Sequence, residues 1–169
     1  EVILRHFGAR ALSTVVVASV ASSIVSHVFL GVSPAFIVPV YKLWSPFEIF
    51  LYLGLGVLSA VTAILFVSVL DRTEDLFDRW KFIDWLKPAI GGLLVGVIGL
   101  YFPQIFGSGL RTIEDALHGN ITLGLLVLLV VVKIAATSLS LGSGSSGGVF
   151  APALFIGAAL GGSLGKVVF

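Results

Sequence analysis

The sequence contains no cysteine and no methionine, and few of its residues carry charge. The absence of cysteine excludes disulfides, thiolate metal ligands and cysteine nucleophiles. Charged residues make up 11% of the chain, whereas soluble domains contain about 25%. The net charge of +1 gives no basis for binding nucleic acid. A chain without methionine that starts at Glu1 is expected to be an internal fragment of a longer protein.

Apolar residues dominate the composition of the chain. They make up 57% of the chain, and the mean hydropathy is +1.12. Runs at 11–30, 47–70, 121–141 and 149–169 are each about 20 residues long, the length that crosses a bilayer as a helix. A shorter run at 88–102 is interrupted by glycines, which is typical of transporter cores. The sequence therefore predicts an all-α, multi-pass integral membrane protein.

Basic residues indicate the orientation of these helices. Segment 71–87 contains four of them, whereas 31–46 and 101–120 contain one lysine or arginine each. Lysine and arginine are enriched in cytoplasmic loops, so 71–87 is predicted to be a cytoplasmic loop. Residues 31–46, with three prolines, are predicted to be an extracellular or periplasmic linker.

A glycine- and serine-rich stretch lies between the last two apolar runs. Residues 142–152 read Gly-Ser-Gly-Ser-Ser-Gly-Gly-Val-Phe-Ala-Pro. Pro152 suits the first turn of a helix, whose unpaired N–H groups carry partial positive charge. Residues Gly148, Val149 and Phe150 are therefore a candidate anion site, with Ser146 beside them. The alternative is a flexible linker, but irregular backbone at membrane depth is tolerated only inside protein or against a water-filled cavity.

Lys133 is a lysine deep within an apolar run. One interpretation is that its side chain extends along the helix to the cytoplasmic interface. The other is that Lys133 faces the inner mouth of an anion pathway, with Thr137 one turn further on, and raises the local anion concentration.

Other apparent motifs do not predict chemistry. Residues 142–147 fit a Gly-x-Gly-x-x-Gly dinucleotide fingerprint, but no strand precedes them and no acidic residue follows. The three histidines are scattered, so neither a metal site nor a catalytic residue is predicted. The Gly107-Ser108-Gly109 sequence precedes a partial helix at 112–117, where close packing of the helix end is expected.

The stretch from 142 to 158 resembles a signature of the CLC family of chloride channels and chloride/proton exchangers. The family pattern Gly-x-Phe-x-Pro is present as Gly148-Val149-Phe150-Ala151-Pro152. The resemblance implies that the N–H groups of Val149 and Phe150 bind the central permeating anion. It also implies a homodimer in the plasma or inner membrane that transports chloride and uses no cofactor.

The family architecture is an inverted repeat of tilted, partly broken helices. By this resemblance, residues 1–30 form the end of the first membrane repeat, and 47–169 form the first part of the second. The sequence thus favours a chloride channel, with a chloride/proton antiporter of the same family as the alternative. A structural helix bundle without transport is the alternative from another class, because small residues also allow helices to pack closely.

The first residues bear on the choice between channel and exchanger. Glu1-Val2 resembles the end of the family helix on which proton-coupled exchangers carry an inner glutamate, and Val2 occupies that glutamate's position. Valine cannot exchange a proton. In a pH gradient at fixed chloride, we therefore expect the reversal potential of the full-length protein to follow chloride alone. A shift of the potential with pH would contradict the channel prediction.

Overall fold

The computed structural model describes residues 9–31, 48–81 and 83–168, and these contain helices, turns and irregular segments but no strand. The chain separates into two compact units, residues 1–35 and 36–169. Two expectations lie outside the described residues: the proton-coupling argument at Glu1 and Val2, and the linker beyond Gly31.

The first unit contains one helix, α1, over Ala9–Leu30. Its 22 residues match the apolar run predicted at 11–30 and add two at the start. Large apolar side chains point outward along it, including Val17 at 69% and Phe29 at 81% exposure. A helix without a buried stripe needs an apolar surrounding, which a bilayer provides.

The second unit contains the other five described helices: α2 (Glu48–Arg79), α3 (Lys87–Tyr101), α4 (Leu110–Leu117), α5 (Leu123–Gly142) and α6 (Phe150–Val168). Short 3₁₀ turns at Asp84–Leu86 and Pro103–Ile105 lie on either side of α3. The predicted helices are confirmed, and five helical stretches among the described residues are long and apolar enough to cross a membrane. The all-α, multi-pass prediction is therefore confirmed.

The prediction of a loop throughout 71–87 is wrong for its first half. Helix α2 continues to Arg79, so its 32 residues span about 48 Å, well beyond a hydrocarbon core of about 30 Å. A buried face runs on through the charged segment, where Phe77 is 4% exposed and lies eleven residues, or about three turns, after buried Phe66. The Thr73 hydroxyl donates to the Val69 carbonyl at 2.7 Å along the same helix. The helix therefore continues into the charged segment with one face still packed inside the protein.

Helix α5 is the centre of the second unit. It packs against α2, α3 and α6, and Leu126 and Leu129 on it have no exposed surface. Leu126 belongs to an apolar cluster shared with α2 and α6. Leu129 belongs to a second cluster, which includes Phe155 of α6 and Ile113 of α4. Lipid is as apolar as leucine, so these clusters stabilise the helix bundle mainly through close van der Waals packing.

Glycines let two helices approach the end of α5 closely. A Cβ atom on Gly142 would lie 2.9 Å from the Glu74 nitrogen of α2. A Cβ atom on Gly91 of α3 would lie 2.9 Å from the Leu139 carbonyl oxygen and would overlap the Ser143 side chain. The start of the glycine-serine loop is thus held between α2 and α3 at close backbone distance.

Adjacent glycines on α3 allow a matched test of this packing. We expect Gly91→Ala to lower the free energy of unfolding by about 1–3 kcal/mol, because the backbone of α5 cannot move aside. Gly92→Ala is the control, since a Cβ atom there meets nothing within 4 Å and alanine favours the helix by up to about 1 kcal/mol. Thermal unfolding in detergent measures both. Equal stability of the two variants would contradict the close contact.

Candidate anion site

The glycine-serine loop begins by turning back onto the end of α5. The N–H groups of Ser143, Gly144 and Ser145 donate to the carbonyls of Leu139, Leu141 and Ser140 at 3.2, 2.9 and 3.1 Å. Gly144 makes this turn possible because its φ of +88° lies in the left-handed region, which is common after the last residue of a helix. The Ser143 hydroxyl also donates to the Ser140 carbonyl at 2.9 Å. Residues 143–145 therefore pair with the last carbonyl groups of α5, and the later loop residues donate no N–H group to that helix end.

The start of α6 has unpaired N–H groups. The Ala153 N–H donates to the Val149 carbonyl at 3.0 Å, the first helical hydrogen bond across this end. Within the described part of the chain, the N–H groups of Gly148, Val149 and Phe150 donate to no backbone carbonyl. Unpaired N–H groups and the helix dipole together give this end a partial positive charge.

A cavity of about 220 Å³ lies beside this helix start. The loop contributes Ser146, Gly147 and Gly148, and Pro152 adds the first turn of α6. The opposite wall comes from α3, α5 and the turn after α3, with Val95, Phe106, Gly107, Lys133, Thr137 and Ser140 among its residues. The structure therefore brings Lys133, Ser146 and Gly148, predicted separately from the sequence, to one cavity.

Val149 and Phe150 lie at the rim. Neither is among the residues that line the cavity, and their side chains are 37% and 79% exposed. Anion binding by their main-chain N–H groups therefore stays a prediction.

Lys133 is buried rather than extended to an interface. Its residue is 3% exposed, and its Nζ donates to the carbonyls of Ile105 and Gly107 at 2.7 and 3.0 Å. The Nζ also lies 5.0 Å from the centre of the Phe155 ring, a cation–π distance. Moving an ammonium out of water costs several kcal/mol. Each of its two hydrogen bonds to a carbonyl offsets about 1.5–3 kcal/mol of this cost. The interpretation that Lys133 extends to the cytoplasmic interface is therefore wrong.

The contact also locates the ammonium along the cavity. Ile105 and Gly107 follow α3, whereas the charged segment 71–87 precedes it. Helix α3 has 15 residues and spans about 22 Å. The ammonium therefore lies near the end of α3 that is remote from the charged segment, and its place at an inner mouth stays a prediction.

Two polar residues of the cavity wall lie on the same face of α5 as Lys133. Thr137 and Ser140 follow Lys133 at four and seven residues, the spacing that places three side chains on one side of a helix. Thr137 is predicted at this position from the sequence, whereas Ser140 is not. The same spacing test, applied to polar residues within an apolar run, identifies both.

The Gly107–Gly109 segment has the packing role expected from the sequence. Gly109 precedes α4 with a φ of +69°, and a Cβ atom there would overlap the Phe155 ring at 2.5 Å. The same ring contacts the Lys133 ammonium. Among the described residues, no group of three or more His, Asp or Glu side chains could hold a metal ion.

Comparison with known proteins gives the family. The sequence profile described as "Voltage gated chloride channel" matches residues 1–169. The chain belongs to the voltage-gated chloride channel family. It is 39% identical to chloride channel protein CLC-f of Arabidopsis thaliana, over 89% of this chain and 20% of that protein. It is 36% identical to the H(+)/Cl(-) exchange transporter ClcA of Salmonella paratyphi B, over 86% of this chain and 32% of that protein.

A further relative in this family is chloride channel protein CLC-e of Arabidopsis thaliana, at 36% identity over 92% of this chain and 23% of that protein. The chain spans between a fifth and a third of the length of these curated relatives. No solved structure matches the chain at a significant level. Family membership agrees with the five apolar helices and identifies a multi-pass membrane protein of a channel and transporter family rather than an enzyme.

Proposed function

We propose that the protein conducts chloride across a membrane as a CLC-type channel, with the anion held by main-chain N–H groups at the start of α6. The observation that carries this proposal is the set of unpaired N–H groups at Gly148, Val149 and Phe150, of which Gly148 lines a cavity that the buried Lys133 also lines. Transport of this kind needs no cofactor, because it requires only that the ion binds and is released.

Main-chain donors suit a permeating anion. They carry only partial charges, so they compensate for lost hydration without holding the ion as tightly as a full cation would. Loop residues 143–145 are tied to α5, and Gly91 and Gly142 hold the loop's beginning at close backbone distance. The donors themselves are positioned by the first turn of α6, where the Ala153 N–H donates to the Val149 carbonyl. Donors that are already in place bind an ion without the cost of ordering them first.

Exchange of chloride for protons is the second candidate. Its support is the 36% identity to a protein named as an H(+)/Cl(-) exchange transporter. Against it stands the valine at position 2, where the resemblance places the inner glutamate of proton-coupled exchangers. We favour the channel for this reason, and the reversal-potential measurement separates the two.

A structural helix bundle explains the close helix packing but gives no role to the cavity. A bundle needs neither unpaired N–H groups beside a cavity nor a lysine buried in its wall. The two candidates also predict different chloride fluxes, because a structural bundle reconstituted in liposomes carries no chloride.

The bilayer and a second copy of the protein are the partners in this proposal. Large apolar side chains are exposed on α1 and α2, for example Val28 at 73% and Phe50 at 71%. Such surfaces are stable against lipid or another apolar protein face. The homodimer rests on the family resemblance.

Phe150→Pro tests the anion site directly. Proline removes the N–H group of the first residue of α6 but is tolerated there, because that N–H has no helical partner. We expect chloride affinity to fall about tenfold or more, since a hydrogen bond to a charged group contributes about 1.5–3 kcal/mol. Calorimetric titration of chloride into the purified full-length protein measures the change.

Phe150→Leu is the matched control. It keeps the N–H group and removes only a largely exposed aromatic ring, so we expect chloride affinity close to that of the unchanged protein. Unaltered affinity in a correctly folded Phe150→Pro protein would show that the main-chain donor is not part of the site.

A further inference from the structure

The end of α2 and the 3₁₀ turn before α3 expose three large apolar side chains. Trp80 is 49%, Ile83 55% and Trp85 76% exposed, and these three residues are called the tryptophan patch below. The ring of Trp80 lies 6.0 Å from that of buried Phe77, measured between ring centres, which holds it to the folded end of α2. Single exposed apolar residues are common, whereas several together mark a surface that interacts with protein or membrane.

Helix α5 indicates where the bilayer ends on this side of the protein. Its 20 residues span about 30 Å, the thickness of a hydrocarbon core. Its last residue, Gly142, lies level with Glu74, because a Cβ atom on Gly142 would be 2.9 Å from the Glu74 nitrogen. Trp80 follows Glu74 by six residues and therefore lies at most about 9 Å beyond that level. The headgroup layer on each face of a bilayer is about 5–8 Å thick, so Trp80 is within reach of the headgroups.

Helix α3 gives the same level independently. Its 15 residues span about 22 Å, which is too short for a core of about 30 Å. The apolar helical stretch that is long enough to cross begins at Asp84 and so includes the 3₁₀ turn that contains Trp85. Pro88, in the first turn of α3, lines the same cavity as the residues from Leu141 to Gly144 at the end of α5. Trp85 therefore lies where this stretch enters the bilayer.

Charge in this region is divided between two surfaces. A cavity of about 280 Å³ between α2, α3 and the end of α5 is lined by the acidic residues Glu74, Asp78 and Asp84. Arg79 and Lys81 flank Trp80 in sequence, are exposed, and are not among the residues that line this cavity. Phospholipid headgroups offer phosphate oxygens to basic side chains and a boundary between polar and apolar layers to indole rings. The patch and its two basic neighbours therefore match the chemistry of a headgroup layer.

We propose that the tryptophan patch is a membrane-surface anchor, seated among the phospholipid headgroups on the side of the charged segment. Trp80 and Trp85 place their rings at the boundary between headgroups and acyl chains. Ile83 enters the apolar side of that boundary, and Arg79 and Lys81 contact phosphate oxygens. The anchor fixes the turn between α2 and α3 against the bilayer. This inference goes beyond the proposed function and does not depend on it, since it requires only that the helices cross a membrane.

Quenching of tryptophan fluorescence by brominated phospholipids tests the position of the patch. The full-length protein is reconstituted in phosphatidylcholine vesicles, and the emission of Trp85 is the difference between the unchanged protein and Trp85→Phe. We expect a larger loss of this emission with bromine near the headgroup than with bromine near the chain ends, and little loss with acrylamide in the water. Quenching by acrylamide alone would show that the patch faces water, and quenching by neither would show that protein covers it. Either result overturns the anchor.

A spin label gives a second readout that leaves both tryptophans in place. The label is attached to Ile83→Cys, or to Asp78→Cys as the control, in the full-length protein with any other cysteine replaced; residues 1–169 contain none. Molecular oxygen concentrates in the bilayer, whereas a nickel chelate stays in water. We expect the label at position 83 to collide more with oxygen, and the label at position 78, beside the acidic cavity, to collide more with the chelate. Equal preference for the chelate at both positions would refute the proposal.

Discussion

Backbone groups inside a bilayer have no water to pair with, and this constraint governs the whole second unit. Helices satisfy it internally, so breaks in helix are tolerated only where other partners exist. The last carbonyls of α5 accept hydrogen bonds from N–H groups of the loop that follows, and the carbonyls of the turn after α3 accept them from Lys133. At the loop's other end, the N–H groups of Gly148, Val149 and Phe150 stay unpaired, and Gly148 lies in the wall of a cavity that Lys133 and three hydroxyl side chains also line.

Most of the fold could be predicted from the sequence because apolar run length is a local property. Four helices lie within a few residues of the apolar runs at both ends, α2 does so at its start, and α4 was expected as a partial helix. The start of the charged segment was misjudged for a physical reason. Charge indicates contact with water but does not stop a helix, and no glycine or proline interrupts residues 57–79. The buried face that extends α2 to Arg79 depends on packing against α5, which a local pattern does not contain.

The candidate site also has one part that could be predicted from the sequence and one part that could not. The glycine-serine motif is contiguous, so the unpaired donors at the start of α6 could be proposed from the residues alone. The partners of Lys133 could not, because Ile105 is 28 residues away in sequence and the contact exists only once α3, α5 and α6 have packed. A lysine in an apolar run has two outcomes, reaching water or finding carbonyls within the protein. Tertiary structure, not periodicity, decides between them.

The tight contact between Gly91 and Ser143 couples the loop to a charged surface. Gly91 lies one turn into α3, whose first residue, Lys87, pairs with Asp84 at 2.8 Å. A second cavity, of about 280 Å³, has acidic residues of α2 and the residues from Leu141 to Gly144 in its wall. With no side chain between the backbones, α3 cannot slide along its axis without displacing Ser143. The start of the loop, Ser143 to Ser145, is therefore fixed to α3 and α5, and its first two residues lie in the wall of the same cavity as the acidic residues of α2.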